Sequence, residues 1–291
     1  MTYYQFVQTV EEKVKEGLEK SVCVSVHTAQ KYNGTLRKGI LFSEQGSNIS
    51  PTIYLEEYYR QFEQGDTIEE IVKEIVLLYK KVRFKEPWKE EMIRSYEGIK
   101  GRLIYRLINK KENEGLLKDM PYVPYLDLAI VFYVLLEAGM YGTAAMPVKT
   151  EHLELWEVTK EQIYEHACKN TERLLPYEFR SMHSVIAEMT DIEAREGEEV
   201  LYVLSNHLRS FGAAVILYPG RLEEVGEFLG EDFYLLPSSV HEMIAVRKSA
   251  ASEKLFLSAM VTEINAAQVE KEEVLSNQAY FYDCAHKKLS L

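Results

Sequence analysis

The chain is poor in residues that staple, coordinate or cradle. Only three cysteines, Cys23, Cys168 and Cys284, occur in 291 residues. They are far apart and odd in number, which excludes a disulfide framework and the paired ligand spacing of a zinc site. Cys23 sits in the apolar run Val22-Cys23-Val24 and reads as a buried, reduced thiol. No Walker loop, G-x-G-x-x-G, G-x-S-x-G, H-E-x-x-H or EF-hand loop is present, so no cofactor is expected from a familiar motif. Long apolar runs are missing as well. The longest, Leu126–Leu136, is broken by Asp127 and is too short to span a bilayer. The opening MTYYQFVQTVEEKVKEGLEK lacks a basic stretch followed by an apolar one, so no signal peptide is expected. Basic charge is the last scarcity: 34 Lys+Arg face 46 Asp+Glu, a net charge of −12. Phosphate contacts need a basic face, so nucleic acid is not an expected partner, nor is an anionic membrane. These absences together point to a cytoplasmic protein.

What is present is an ordinary globular balance, 46% hydrophobic and 27% charged, enough apolar area to exclude intrinsic disorder. Residues 3–19 place Phe6, Val10, Val14 and Leu18 about one turn apart, an amphipathic helix. VCVSVHTAQK and LRKGILFSE flank Asn33-Gly34, the strongest short signal for a hairpin with a type I′ turn. Ser50-Pro51-Thr52 is read as starting a helix through IYLEEYYRQFEQ that stops at Gly65. Asp66 is read as the cap of the next helix, whose buried stripe is Ile68, Ile71, Val72, Ile75, Val76 and Tyr79.

A polar joint, Arg83–Pro87, follows. GRLIYRLIN reads as a strand, KKENEGLLKDM as a helix, and PYLDLAIVFYVLLE and TAAMPVK as extended runs. Thr159 and Gln162 form a capping box for a helix that closes at Pro176. In the last third, EVLYVLS, AAVILY, DFYLLP, EMIAVR and AYFYD read as strands. Helices follow Gly220 and Ser252, the latter as N-cap. Paired strands with helices between them predict an α+β fold with mixed, mainly antiparallel sheets. The expected units are residues 1–85, 86–180 and 181–291.

Two stretches carry candidate chemistry. Leu236-Pro237-Ser238-Ser239-Val240-His241-Glu242 gathers two hydroxyls, an imidazole and a carboxylate between two strands. Alternation places Ser239 and His241 on one face and Ser238 and Glu242 on the other. A hydrolase built on Ser239, His241 and Glu242, with Asp232 in support, would need the serine oxygen on the imidazole. The competing reading is a serine-rich turn whose hydroxyls satisfy backbone groups. The second stretch, Asn48–Tyr59, offers Asn48, Ser50, Tyr54 and Tyr58 around an expected helix N-terminus, where free N–H groups favour an anion. Capping and core packing account for the same residues. Seven histidines show no repeated metal-ligand spacing, so no metal site is expected. The basic cluster Lys80, Lys81, Arg83 and Lys85 fits a helix C-terminus.

NGTLRKGILF with NISPTIYLEEYYRQFEQGDTIEEIVKEIVLLYKK, then LYVLSNHLRSFGAAVILYPG, LLPSSVHEMIAV and EEVLSNQAYFYD, resemble successive blocks of an uncharacterised Firmicutes family, domain of unknown function 5688, seen mainly in gut Clostridia. The resemblance covers nearly the whole chain. It implies a bacterial, cytoplasmic protein and carries over no activity, cofactor or site residue. The expectation is therefore a non-enzymatic interaction or regulatory protein that binds another protein or peptide through an acidic, tyrosine-rich surface. The hydrolase is the alternative.

Overall fold

The computed structural model describes residues 1–44, 50–83, 90–139, 142–190, 200–251 and 253–291. The chain forms two compact units, Met1–Arg94 and Ser95–Leu291. Both are α+β, and all strand pairs among the described residues are antiparallel.

In the first unit, α1 (Tyr3–Glu16) begins with a capping box. Thr2 Oγ1 accepts the Gln5 N–H, and the Gln5 side chain accepts the Thr2 N–H. Its buried stripe is Phe6, Val7, Val10 and Val14. Strands β1 (Val22–Gln30) and β2 (Leu36–Glu44) pair from Val22 opposite Glu44 to Gln30 opposite Leu36, and alternation buries Val24 and leaves Cys23, expected inside, exposed. Their turn is wider than a two-residue I′ loop, a 3-10 turn over Tyr32–Gly34. Asn33 (φ 53°) and Gly34 (φ 68°) still take the left-handed conformations that this dipeptide tolerates.

The helix expected from Ser50-Pro51-Thr52 does not start there. Thr52–Tyr54 is a strand, β3, with Ile53 opposite Ile40 on β2. Thr and Ile are stiff, β-branched residues suited to extended chain. Gly39 on β2 also leaves room for them: a Cβ there would lie 2.6 Å from Thr52 Cγ2 and 2.9 Å from the Ile53 carbonyl. Helix α2 (Glu56–Gln64) follows, and Gly65 at φ 119° ends it. The cap of α3 (Ile68–Val82) is Thr67 rather than Asp66. Thr67 Oγ1 accepts the Glu70 N–H, and the Glu70 carboxylate accepts the Thr67 N–H, so the Thr-x-x-Glu box outcompetes the neighbouring aspartate. Ile68, Ile71, Ile75 and Tyr79 of α3 join the α1 stripe and Val24, Ile40, Phe42 and Ile53 of the sheet in one core. A short α4 (Glu90–Arg94) follows.

The second unit opens with α5 (Tyr96–Ile99) and a four-stranded sheet: β4 (Leu103–Asn109), β5 (Tyr122–Tyr125), β6 (Leu128–Gly139) and β7 (Gly142–Pro147). β6 is central. β4 pairs along one side, and β5 and β7 pair with successive stretches of β6. Two expectations fail here. The single run PYLDLAIVFYVLLE folds back at Leu126-Asp127, with Tyr125 opposite Leu128 and Leu126 at φ 53°. KKENEGLLKDM is not a helix but turns with a 3-10 segment at Leu116–Lys118. Asn109 Oδ1 accepts the Glu112 N–H and Asn113 Nδ2 donates to the Asn109 carbonyl. These side chains bind backbone groups locally and displace the helix.

Helix α6 (Thr150–Leu155) precedes α7 (Lys160–Leu174), which starts at the expected Thr159–Gln162 box. Thr171 Oγ1 on α7 accepts the Tyr105 N–H of β4 at 3.1 Å and donates to the Ala167 carbonyl at 2.6 Å. The remaining elements are β8 (Tyr177–Ser181), α8 (Met182–Thr190), β9 (Leu201–Asn206), α9 (Arg221–Leu229), β10 (Phe233–Ser239), β11 (Glu242–Arg247), α10 (Lys254–Gln268), β12 (Tyr280–Asp283) and β13 (Lys288–Ser290). Their sheet runs β13-β12-β10-β11-β9-β8.

AAVILY, expected as a strand, is a 3-10 helix over Gly212–Leu217 that ends at Tyr218, and Gly212 to Ile216 are buried. A short apolar run enclosed on all sides has no periodicity to separate strand from helix. The expected Ser252 cap lies outside the described residues, and Glu253 makes no side-chain cap. One core joins Leu107 and Phe132 of the four-stranded sheet to Leu204, Val215, Phe233 and Tyr280 of the C-terminal segment. Asp127 ties the same two segments: it accepts the Tyr280 hydroxyl at 2.7 Å and the Ser276 hydroxyl at 2.5 Å.

Candidate functional site

The stretch Leu236–Glu242 is the tip of the β10–β11 hairpin. Pairing runs from Phe233 opposite Arg247 to Pro237 opposite Met243, shifts at a bulge, and ends with Ser239 opposite Glu242. Val240 and His241 make the turn, and three other segments hold it. The Val240 carbonyl accepts the Ala213 N–H at 3.2 Å, the Val240 N–H donates to the Glu273 carbonyl at 2.8 Å, and Ser205 Oγ donates to the His241 carbonyl at 2.7 Å.

The expected reactive groups are engaged elsewhere. Ser239 Oγ accepts the His241 N–H at 3.0 Å, and Ser238 Oγ donates to Glu242 Oε1 at 3.3 Å. Ser238 and Glu242 meet at the bulged end of the hairpin, where Ser239 and not Ser238 is paired opposite Glu242, and Ser239 meets the backbone of His241 rather than its ring. His241 Nδ1 accepts the Phe211 N–H at 3.1 Å, so the neutral ring carries its proton on Nε2, which faces Glu273 Oε1 at 3.4 Å. Asp232 stands at the far end of β10. Its carboxylate accepts Lys248 Nζ at 3.0 Å and the Cys284 N–H at 3.1 Å, contacts that hold its carboxyl below the ordinary range.

In the first unit the anion reading loses its helix N-terminus. Asn48 lies outside the described residues. Ser50 Oγ shares a hydrogen bond with Ser43 Oγ at 3.0 Å. Tyr54 is on β3, with Lys31 Nζ 3.8 Å from its ring centroid. Tyr58 lies on α2, packed against the core, and burial, aided by Glu74 and Glu57, raises its phenol pKa. Helix α2 begins with Glu56 and Glu57, which disfavour an anion. Glu56 instead accepts the Tyr3 hydroxyl at 2.8 Å and the Lys38 N–H at 2.7 Å.

Arg106 carries no motif and was not singled out in the sequence. It sits mid-strand in β4, only 7% exposed, between the rings of Phe211 (3.8 Å) and Tyr133 (4.2 Å). Nη2 donates to Thr143 Oγ1 at 3.2 Å, and Thr143 Oγ1 shares a hydrogen bond with Ser210 Oγ at 3.1 Å. Nε is buried without a partner. Phe211 ends a loop organised by the buried Asn206, whose Oδ1 accepts the Leu208 N–H (3.1 Å) and the Ser210 N–H (3.3 Å). Arg209 (φ 47°) and Phe211 (φ 52°) are left-handed there. The sequence signal was the lone arginine inside LIYRLIN, since charged residues rarely sit within a fully apolar strand.

A third feature is the outer side of α10. Its inner side, Leu257 and Val261, packs with Leu236, Val246 and Ala279. Outside, Leu255 is 82%, Phe256 62% and Ile264 44% exposed. A cleft of about 450 Å³ lies alongside, lined by Lys254, Leu255, Ser258, Thr262, Asn277 and Gln278, among others. Among the described residues, no group of three or more His, Cys, Asp or Glu is placed to hold a metal ion. Nor is any helix among them long and apolar enough to cross a membrane.

A model of the family of unknown function DUF5688 matches residues 3–284. The chain belongs to that family. No curated protein and no solved structure matches it. For this DUF5688 chain, then, function has to be argued from the three places just described.

Proposed function

We propose that this DUF5688 protein is a non-enzymatic interaction protein of the bacterial cytoplasm whose α10 face docks a basic amphipathic helix of another protein. The observation that carries this reading is the apolar outer side of α10. Phe256 and Ile264 lie eight residues apart on this side, and Leu255 and Ala259 flank them. Met260 between them is half-buried against the core, and Lys254 and Glu263 are the only charged residues of the helix. The inner side already secures α10 to the sheet, so the fold does not need Leu255 and Phe256. Covering either side chain is worth roughly 1.5–3 kcal/mol before the costs of association.

The net charge of −12 favours a basic partner and opposes pairing between two copies of the chain. The hydrolase reading lacks its central contact, because the Ser239 oxygen is bonded to the His241 N–H and the imidazole is held by Phe211 and Glu273.

The test is fluorescence anisotropy with a synthetic Leu/Lys amphipathic peptide at physiological salt. Saturable binding that weakens about tenfold or more in the charge-neutral double variant Leu255→Ser/Phe256→Ser, with circular dichroism unchanged, supports the reading. Absent binding, or binding the double variant leaves intact, overturns it. A wild-type dimer that this variant dissolves would assign the face to a second copy instead.

A further inference from the structure

The slot around Arg106 is independent of the α10 reading. On β4, Leu103, Tyr105 and Leu107 enter the core, so alternation places Arg106 on the opposite face with Ile104 and Ile108. A guanidinium does not deprotonate in proteins, so a full positive charge is held at 7% exposure. Buried charges are ordinarily paired. Here no carboxylate among the described residues forms an ion pair with Arg106. Of its five N–H groups, one donates to Thr143 Oγ1, and Nε has no partner.

The rings of Phe211 and Tyr133, 3.8 and 4.2 Å from the guanidinium carbon, offset part of the desolvation, and the unpartnered Nε leaves an edge of the guanidinium for an acceptor. From that edge a polar chain leads outward. Thr143 and Ser210 are half-buried, and their hydroxyls are joined at 3.1 Å, with a proton to offer to a further acceptor.

We infer that Arg106, Thr143 and Ser210 form a binding site for a phosphate group, with Phe211 and Tyr133 as its walls. The guanidinium supplies the charge and a two-pronged edge. With the two hydroxyls beside the guanidinium, the site offers more donors than one planar carboxylate fork takes up, which suits the several oxygens of phosphate. Phosphate is the only anchor named; whatever it is attached to extends past Ser210 towards solvent.

The test is a thermal-shift and calorimetric titration of the full chain with inorganic phosphate at constant ionic strength, with acetate in parallel. The wild type should show a saturable rise in melting temperature with phosphate and little with acetate. Arg106→Met should abolish that response while keeping the circular dichroism spectrum, and Ser210→Ala should weaken binding about tenfold. No phosphate response in the wild type, or an equal one in Arg106→Met, overturns the site. An acetate response as large as that of phosphate overturns its assignment to phosphate. Should Arg106→Met fail to fold, the double variant Thr143→Val/Ser210→Ala decides. It keeps the guanidinium and both rings, and an undiminished phosphate response in it overturns the site.

Discussion

Asp127 and Arg106 face opposite fates in the same unit. Asp127 has an acceptor load fully met: one carboxylate oxygen takes the Tyr280 hydroxyl and the other the Ser276 hydroxyl. Arg106 is the more buried of the two, yet only Thr143 accepts from it and Nε has no acceptor. A satisfied polar knot is what a fold uses to join segments distant in sequence. An unsatisfied one raises the free energy of the fold, and calls for an explanation outside stability. The comparison therefore separates a structural polar residue from a functional candidate without any appeal to motif.

The sharpest way to break the comparison is Asp127→Ala. It strands two hydroxyls, those of the fully buried Ser276 and Tyr280, and should cost roughly 4 kcal/mol in urea denaturation, because each orphaned buried donor costs about 1–3 kcal/mol. A loss below about 1 kcal/mol would show that the knot is not structural.

Gly212→Ala comes next. Its Cβ would lie 2.1 Å from Ser205 Oγ, 2.5 Å from the His241 carbonyl and 2.7 Å from the Asn206 nitrogen. The loop that carries Phe211 must then shift, at an expected cost of about 2–3 kcal/mol in the same assay. Phosphate binding should weaken with it.

Alkaline pH gives a third contrast. Burial, and then the charge of Asp127, raises the Tyr280 phenol pKa well above its ordinary value. A raised folded-state pKa means that this stability is complete below pH about 10. Above that, it should fall by about 1.4 kcal/mol per pH unit for each such phenol, until the folded-state pKa is reached. Urea midpoints measured across the alkaline range should therefore drop, and Tyr280→Phe should flatten the slope.

The smallest effect belongs to Arg106→Met, whose stability should lie within about 1 kcal/mol of the wild type, since removing a poorly paired buried charge also removes its desolvation cost. A loss above about 3 kcal/mol would make Arg106 structural after all.

Elements with chemical punctuation were readable in the sequence. The capping box of α7, the Asn33-Gly34 turn and the glycines bounding α9 act through neighbours within a few residues, so local sequence contains their cause. The Thr67 box and the turns at residues 109–113 are local and were misread as well, but the other errors have remote causes. Thr52–Tyr54 is extended because Gly39 leaves room beside it. Gly212–Leu217 coils because it is enclosed from several sides, and Leu126-Asp127 turns because Ser276 and Tyr280 are there to receive the aspartate. The candidate site divides in the same way. The Ser238–Glu242 contact lies within one hairpin, between residues four apart, although a bulge and not alternation brings it about. The Arg106 slot is assembled from β4, β6, β7 and the loop after β9, and only a charged letter in an apolar strand hinted at it.

The knot at Asp127 also sets an order of events during synthesis. Its two donors are 149 and 153 residues further along the chain, whereas the first unit closes its core entirely within Met1–Arg94. A nascent chain leaving the ribosome can complete that first core while the second is still waiting for its last strands. Until Tyr280 emerges, the hairpin end at Asp127 holds a carboxylate without its donors, and the six-stranded sheet still lacks β12 and β13, leaving apolar surface that a holding chaperone would recognise.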